Sequence, residues 1–135
     1  MLARTITAAF AFAAIVAMPL ASATDYTWNV LGGGTQSWSS AANWTPNSAF
    51  PNAATDTSDL RGGLASNLAL DVGASGTVTS GSISFGGTAG AVTTDVISSG
   101  STAALVLNYT PANASILSQG VAGSVNRISA PLILG

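Results

Sequence analysis

Asn67-Leu68-Ala69-Leu70-Asp71-Val72, followed by Thr77-Val78-Thr79 and Ser82-Ile83-Ser84-Phe85, is the stretch that decides the fold. Apolar residues alternate with Ala, Asp and Ser at a period of two. Leu68/Leu70/Val72 and Ile83/Phe85 therefore fall on one face of an extended chain, and the small polar residues fall on the other. The same vocabulary continues through Val92-Thr93-Thr94-Asp95-Val96-Ile97, Ala104-Leu105-Val106-Leu107-Asn108-Tyr109, Ser115-Ile116-Leu117-Ser118, Arg127-Ile128-Ser129 and Pro131-Leu132-Ile133-Leu134. Gly73, Gly76, Gly81, Gly86-Gly87, Gly90, Gly100, Gly120 and Gly123 punctuate these runs. No window carries an i, i+3, i+4 stripe, and β-branched residues and Gly are weak helix formers. The reading is all-β. Short strands at this spacing suit a sandwich or barrel or a solenoid of stacked coils. Ser/Thr-rich outer faces, frequent Gly and few charges favour the solenoid.

Upstream the composition changes. Trp28, Trp38 and Trp44 all lie before Gly63, and none follows. This divides the chain into a Trp-rich N-terminal cap over 24–63 and solenoid coils over 64–135, with the change near Arg61-Gly62-Gly63. Residues 1–23 read as an address. Arg4 precedes an uncharged run from Ile6 to Leu20, and Ala21-Ser22-Ala23 is the small-x-small pattern that a signal peptidase accepts. The apolar run is shorter than the roughly 20 residues of a spanning helix, and Pro19 breaks it. Cleavage after Ala23 is expected, leaving 24–135 with no transmembrane segment. The 135 residues stop in mid-strand vocabulary without a polar cap, as the front end of a longer protein or a truncated product would.

Composition narrows the chemistry. Among 135 residues there are 3 Lys+Arg, 5 Asp+Glu, no His and no Cys, for a net charge of −2. The cations are Arg4, Arg61 and Arg127, and every acid is an aspartate. A Ser-His or Cys-His nucleophile and an ordinary zinc or haem site are excluded. So are a Schiff-base lysine and a P-loop, and Gly32-Gly33-Gly34 is no phosphate cradle. Two arginines after the leader cannot neutralise a phosphate backbone, so no nucleic-acid partner is expected. An exported chain without cysteine has no disulfide framework and must rely on packing and backbone hydrogen bonds.

Four groups of residues are candidate sites. Trp28, Trp38 and Trp44 offer indole faces for a carbohydrate-binding platform, but as fillers of a hydrophobic cap they account better for the Gly and Ala around them. Asp56 and Asp59, three apart, lack the oxygen ligands Ca²⁺ prefers, and Asp56, like Asn43, suits a turn. Asp71 and Asp95 sit in separate strand runs, where adjacent coils would place them on one face as a glycosidase or lyase pair. Nothing near them in sequence raises a carboxyl pKa, and outward solvated aspartates are the simpler reading. The sequons at Asn43, Asn108 and Asn113 are expected chance matches in an Asn/Ser/Thr-rich chain. No catalytic residue, metal site or cofactor is expected.

Thr27-Trp28, Gly32-Gly33-Gly34, Trp38-Ser39, Ala42-Asn43-Trp44, Pro51-Asn52-Ala53-Ala54 and Asp56 together resemble the N-terminal segment of exported bacterial proteins built from autotransporter-associated β-strand repeats. Some of those also look like proteins bearing a PEP-CTERM sorting tail. Gly81 to Gly87, Leu105-Val106-Leu107 and Asn126 to Gly135 look like that family's coils. The resemblance spans most of 24–135, and the tryptophan spacing is its more specific part. It implies a right-handed parallel β-helix passenger at the cell surface. The chain departs from the pattern in carrying neither a C-terminal membrane barrel nor a sorting tail. The expected function is a non-catalytic, adhesin-like structural protein, exported to the cell surface, outer membrane or medium, with surface polysaccharide or other surface components as partners. A secreted carbohydrate-binding module with exposed tryptophans is the alternative, and a polysaccharide-degrading β-helix enzyme is the second.

Overall fold

The computed structural model describes residues 22–62, 66–73, 76–86, 92–99, 103–109 and 113–135. The leader expected at 1–23 lies almost wholly outside them. Eleven strands and one short 3-10 helix are described: β1 Asp25–Trp28, β2 Gly34–Ser37, helix η1 Ala41–Asn43, β3 Trp44–Thr45, β4 Ala53–Leu60, β5 Leu68–Asp71, β6 Val78–Phe85, β7 Thr93–Ile97, β8 Leu105–Leu107, β9 Ser115–Ser118, β10 Val125–Ile128 and β11 Leu132–Leu134. They form two sheets. Sheet A runs β11-β8-β6-β4-β1-β3, with β9 also on β6, and sheet B runs β10-β7-β5-β2. Every pairing is parallel except β1 with β3. The chain thus passes repeatedly between two parallel sheets, with β3–β4 and β8–β9 as consecutive strands within sheet A, and forms a β-solenoid of about 3 turns.

Period-two burial explains this choice. In β5, Leu68 and Leu70 are buried while Ala69 and Asp71 face outward. Parallel register then stacks like on like. Gln36, Leu70, Val96 and Ile128 form one inward row of sheet B. In sheet A, Val78, Leu105 and Leu132 form another. One buried cluster runs from Tyr26 through Leu60, Leu70, Phe85 and Leu105 to Ala130, so the Trp-rich zone and the later coils share a core. Residue 63, the expected cap–coil boundary, lies outside the described residues. Strands β1, β2 and β4 of the expected cap belong to the parallel sheets themselves.

Gly81 behaves otherwise than its sequence context suggests. It reads as punctuation between two runs, yet it lies inside the single strand β6. The partner strand explains this. Ala53 pairs with Ser80 and Thr57 with Ser82, so residues 54–56 of β4 bulge opposite Gly81 alone. A Cβ at Gly81 would stand 2.6 Å from the Ala54 carbonyl oxygen and 2.2 Å from Cδ2 of Tyr109. A glycine within a strand marks such close backbone approach.

Asparagine side chains tie successive coils together. Asn52 Oδ1 accepts from the Thr79 N–H at 3.1 Å, and Asn67 Oδ1 accepts from the Thr93 N–H at 2.8 Å. These pairs are 27 and 26 residues apart, about one coil, and each satisfies the amide at a strand entrance that the ladder leaves unpaired. At the far end, Ile116, Leu117, Val125, Leu132, Ile133 and Leu134 are exposed, because no described strand packs on the outer side of β9, β10 or β11.

Candidate functional site

The three tryptophans meet at the N-terminal end of the solenoid. Trp28 ends β1 facing inward, Trp38 follows β2, and Trp44 begins β3, which closes the edge of sheet A by pairing antiparallel with β1. The Trp44 ring lies edge-on to Trp28 at 5.1 Å, to Trp38 at 5.2 Å and to Tyr26 at 6.4 Å. Such edge-to-face geometry suits rings with negative faces and positive edges. Each indole N–H donates to a backbone carbonyl: Trp28 to Val30, Trp38 to Pro51 and Trp44 to Trp38, at 2.7–2.8 Å. Relative exposures of 2, 0 and 0 % leave no indole face open to solvent. A sugar platform requires an accessible face, and this packing offers none. Asn43, in η1, donates from Nδ2 to the Ser37 carbonyl, the turn role read from its sequence position.

Asp56 and Asp59 do not share a site. They lie three apart in β4 and so face opposite sides of the sheet. Asp56 points inward, and its Oδ2 accepts from the Asn52 and Ala53 amides at 3.0 Å each. Asp59 points outward and chelates Arg61, accepting from Nε at 2.8 Å and from Nη2 at 2.7 Å. No group of three potential metal ligands comes together among the described residues.

Asp71 and Asp95 both stand on the outer face of sheet B. Asp71 registers with Ile97, and Asp95 registers with Ala69 and Arg127, so the carboxylates are diagonal neighbours on adjacent coils. Both are engaged. Asp71 accepts from the Gly73 amide at 2.7 Å, from the Ser99 amide at 3.0 Å, and from the Ser99 hydroxyl. Asp95 Oδ2 accepts from Arg127 Nε and Nη2 at 2.9 and 2.7 Å and from the Ser129 hydroxyl at 3.0 Å. These bonds reach to the next coil, 28 residues on for Ser99 and 32 for Arg127. The aspartates expected to stand solvated act as staples between coils.

Protonation follows from these partners. The Arg61 guanidinium, bonded side chain to side chain, is the main force holding the Asp59 carboxyl below its ordinary range. For Asp71, burial pushes upward, but the Ser99 hydroxyl and the Ser99 and Gly73 amides together outweigh it and leave the carboxyl lowered. A carboxyl depressed on folding contributes stability above its unfolded pKa of about 4 and loses that contribution as pH falls through the folded value. Unfolding midpoints in urea are therefore expected to drop below about pH 4. Asp71→Asn should lower the midpoint at neutral pH and flatten this acid limb. An unchanged limb would show that Asp71 adds nothing to the acid dependence.

Two grooves mark the outer faces. One, of about 310 Å³ on sheet B, is lined by Thr35, Asn67, Ala69, Thr93, Asp95 and Arg127 among others. The other, of about 370 Å³ on sheet A, is lined by Asp25, Thr27, Thr57, Asp59, Arg61, Ser82 and Ser84, with Tyr26 and Ser58 behind them. Of the sheet A groove, sequence reading singled out Asp59 alone. Thr27, Thr57, Ser82 and Ser84 look like ordinary Ser/Thr filler until parallel register brings them together. Compared with protein-family models, with curated proteins and with solved structures, the chain matches none.

Proposed function

We propose that the chain is an exported, non-catalytic β-solenoid that serves as a rigid display element at the cell surface, in the manner of the autotransporter-associated repeat passengers it resembles. One observation carries the reading: the outward carboxylates of Asp71 and Asp95 are occupied in fastening one coil to the next. A hydrolytic pair would need one carboxyl raised to act as an acid and the other free to act as base or nucleophile. Asp71 is lowered instead, and Asp95 is bound to Arg127. The architecture is suited to stiffness, since each coil adds about 4.8 Å along the axis with its backbone hydrogen-bonded to both neighbours. The few charges on the polar skin are largely paired internally, which favours presentation of a surface over turnover. The alternative of a sugar module built on Trp28, Trp38 and Trp44 would require those buried rings to open.

The test is the N-terminal sequence, mass and location of the native product. A product starting at Thr24 in the envelope or extracellular fraction is expected. A cytoplasmic product starting at Met1 would overturn export, and turnover of a pectin, glucan or xylan abolished by Asp71→Asn would overturn the non-catalytic reading.

A further inference from the structure

We infer that the outer face of sheet A is a binding groove for a neutral, linear saccharide lying along the solenoid axis. The inference names a partner for the surface-display reading and rests on it for its setting.

The groove is a small grid. Asp25, Thr57 and Ser82 are in register on three successive coils, as are Thr27, Asp59 and Ser84. Rows in neighbouring coils lie about 4.8 Å apart, and outward positions within a strand about 6.7 Å apart. Six short polar side chains thus face one cleft of about 370 Å³, of the order a one- or two-ring sugar segment fills. A pyranose chain presents hydroxyls at a comparable repeat, so a chain along the axis meets a fresh pair of side chains at each coil.

The side-chain chemistry is that of hydroxyl recognition. The Thr57 hydroxyl donates to Asp25 Oδ1 at 2.7 Å, which leaves its lone pairs to accept and leaves Asp25 Oδ2 as an acceptor. Asp59 is fixed by Arg61, whose Nη1 remains a donor. The hydroxyls of Thr27, Ser82 and Ser84 have no side-chain partner among the described residues, and each can both donate and accept. Donors and acceptors alternate over a surface held by backbone pairing, so little side-chain entropy is lost on binding. Two aspartates against one arginine make the lining slightly anionic, which disfavours polyanions such as uronate chains and phosphates. The sheet B groove lacks this pattern: in the same register its row is Thr35, Ala69, Asp95 and Arg127, where Ala69 offers no polar group and Asp95 is covered by Arg127.

The experiment is an amide and indole NMR titration of the full chain with cellotetraose, xylotetraose, maltotetraose and mannotetraose, with polygalacturonate as the anionic comparison. Binding of at least one neutral tetrasaccharide with a Kd on the order of 1 mM is expected, moving the amides of Thr27, Thr57, Ser82 and Ser84 and leaving the indole signals in place. The double substitution Thr27→Val with Ser84→Val removes two hydroxyls while keeping strand-forming side chains. It should weaken binding about tenfold or more, whereas Thr93→Val on sheet B should leave it unchanged. Unaltered indole signals in each variant certify the fold. No response to any tetrasaccharide, stronger binding of polygalacturonate, shifts confined to sheet B or to the indoles, or undiminished binding by the double variant would each overturn the inference. A cytoplasmic product starting at Met1 would instead remove the display setting and leave the titration result standing.

Discussion

Trp44→Ala is expected to destabilise the protein by about 4 kcal/mol. Trp44 is the hub of the N-terminal cluster, touching Trp28, Trp38 and Tyr26 edge-on, and it is fully buried. Truncation removes the transfer energy of an indole and leaves a cavity that the three rigid neighbouring rings cannot collapse to fill. It also strips the Trp38 carbonyl of its indole donor at 2.7 Å, an additional cost of about 1 kcal/mol if the carbonyl stays dry. Because β3 is the strand that closes the β1 edge of sheet A, loss of its anchor also frees that edge for pairing with another chain. Trp44→Phe keeps a ring and should cost about half as much. Urea unfolding followed by far-ultraviolet circular dichroism measures both. Against a typical total stability of about 5–15 kcal/mol, this loss is at least about a quarter of the whole. A loss below about 1 kcal/mol would mean that the indole cluster is not the anchor of the N-terminal coil.

Gly81→Ala should cost about 3 kcal/mol, although it adds one methyl group to a strand where alanine is otherwise the better residue. The new Cβ has nowhere to go. The carbonyl oxygens of Ala54 and Asp56 stand 2.6 and 3.0 Å from its position, and Cδ2 of Tyr109 stands at 2.2 Å. The tyrosine ring can turn aside, but the two carbonyls belong to the bulge that lets Asp56 cap the Asn52 and Ala53 amides. The strand spacing must therefore widen locally. The double change Gly81→Ala with Tyr109→Ala distinguishes the two obstacles. If the ring were the main one, the pair would recover most of the lost stability. If the carbonyls decide, as expected when the ring can turn aside and the backbone cannot, it would recover little. Thermal unfolding of the single and double variants reads this directly.

The sequence carried the periodicity and little of the assembly. Leu68, Leu70 and Val72, or Ile83 and Phe85, announce an inward face because alternation along an extended chain is a local property. The absence of His, Cys and Lys likewise excludes whole classes of chemistry without any structure. The strands over Asp25–Trp28, Gly34–Ser37 and Ala53–Leu60 were less legible, because Gly, Asn and Pro around them read as loop. They form because the following coil offers each a sheet edge to pair with, a gain no local pattern records. The role of Gly81 is hidden in the sequence for a related reason: a glycine that ends a strand and a glycine that faces a partner's bulge look alike until the partner is in place.

The grooves show the same division. Sequence alone determined that the chain alternates apolar and small polar residues, has almost no charge to spare and concentrates its indoles at one end. Which polar residues face one another was decided only by tertiary structure. Residues about a coil apart, such as Asp25 and Thr57 or Asp95 and Arg127, 32 apart in each case, become neighbours through parallel register. That register depends on corner lengths that vary from coil to coil. A shift of one residue would turn every inward side chain outward, so burial of the whole set, rather than any single pair, selects the alignment. The aspartates become staples, and Ser and Thr a groove, as consequences of that alignment.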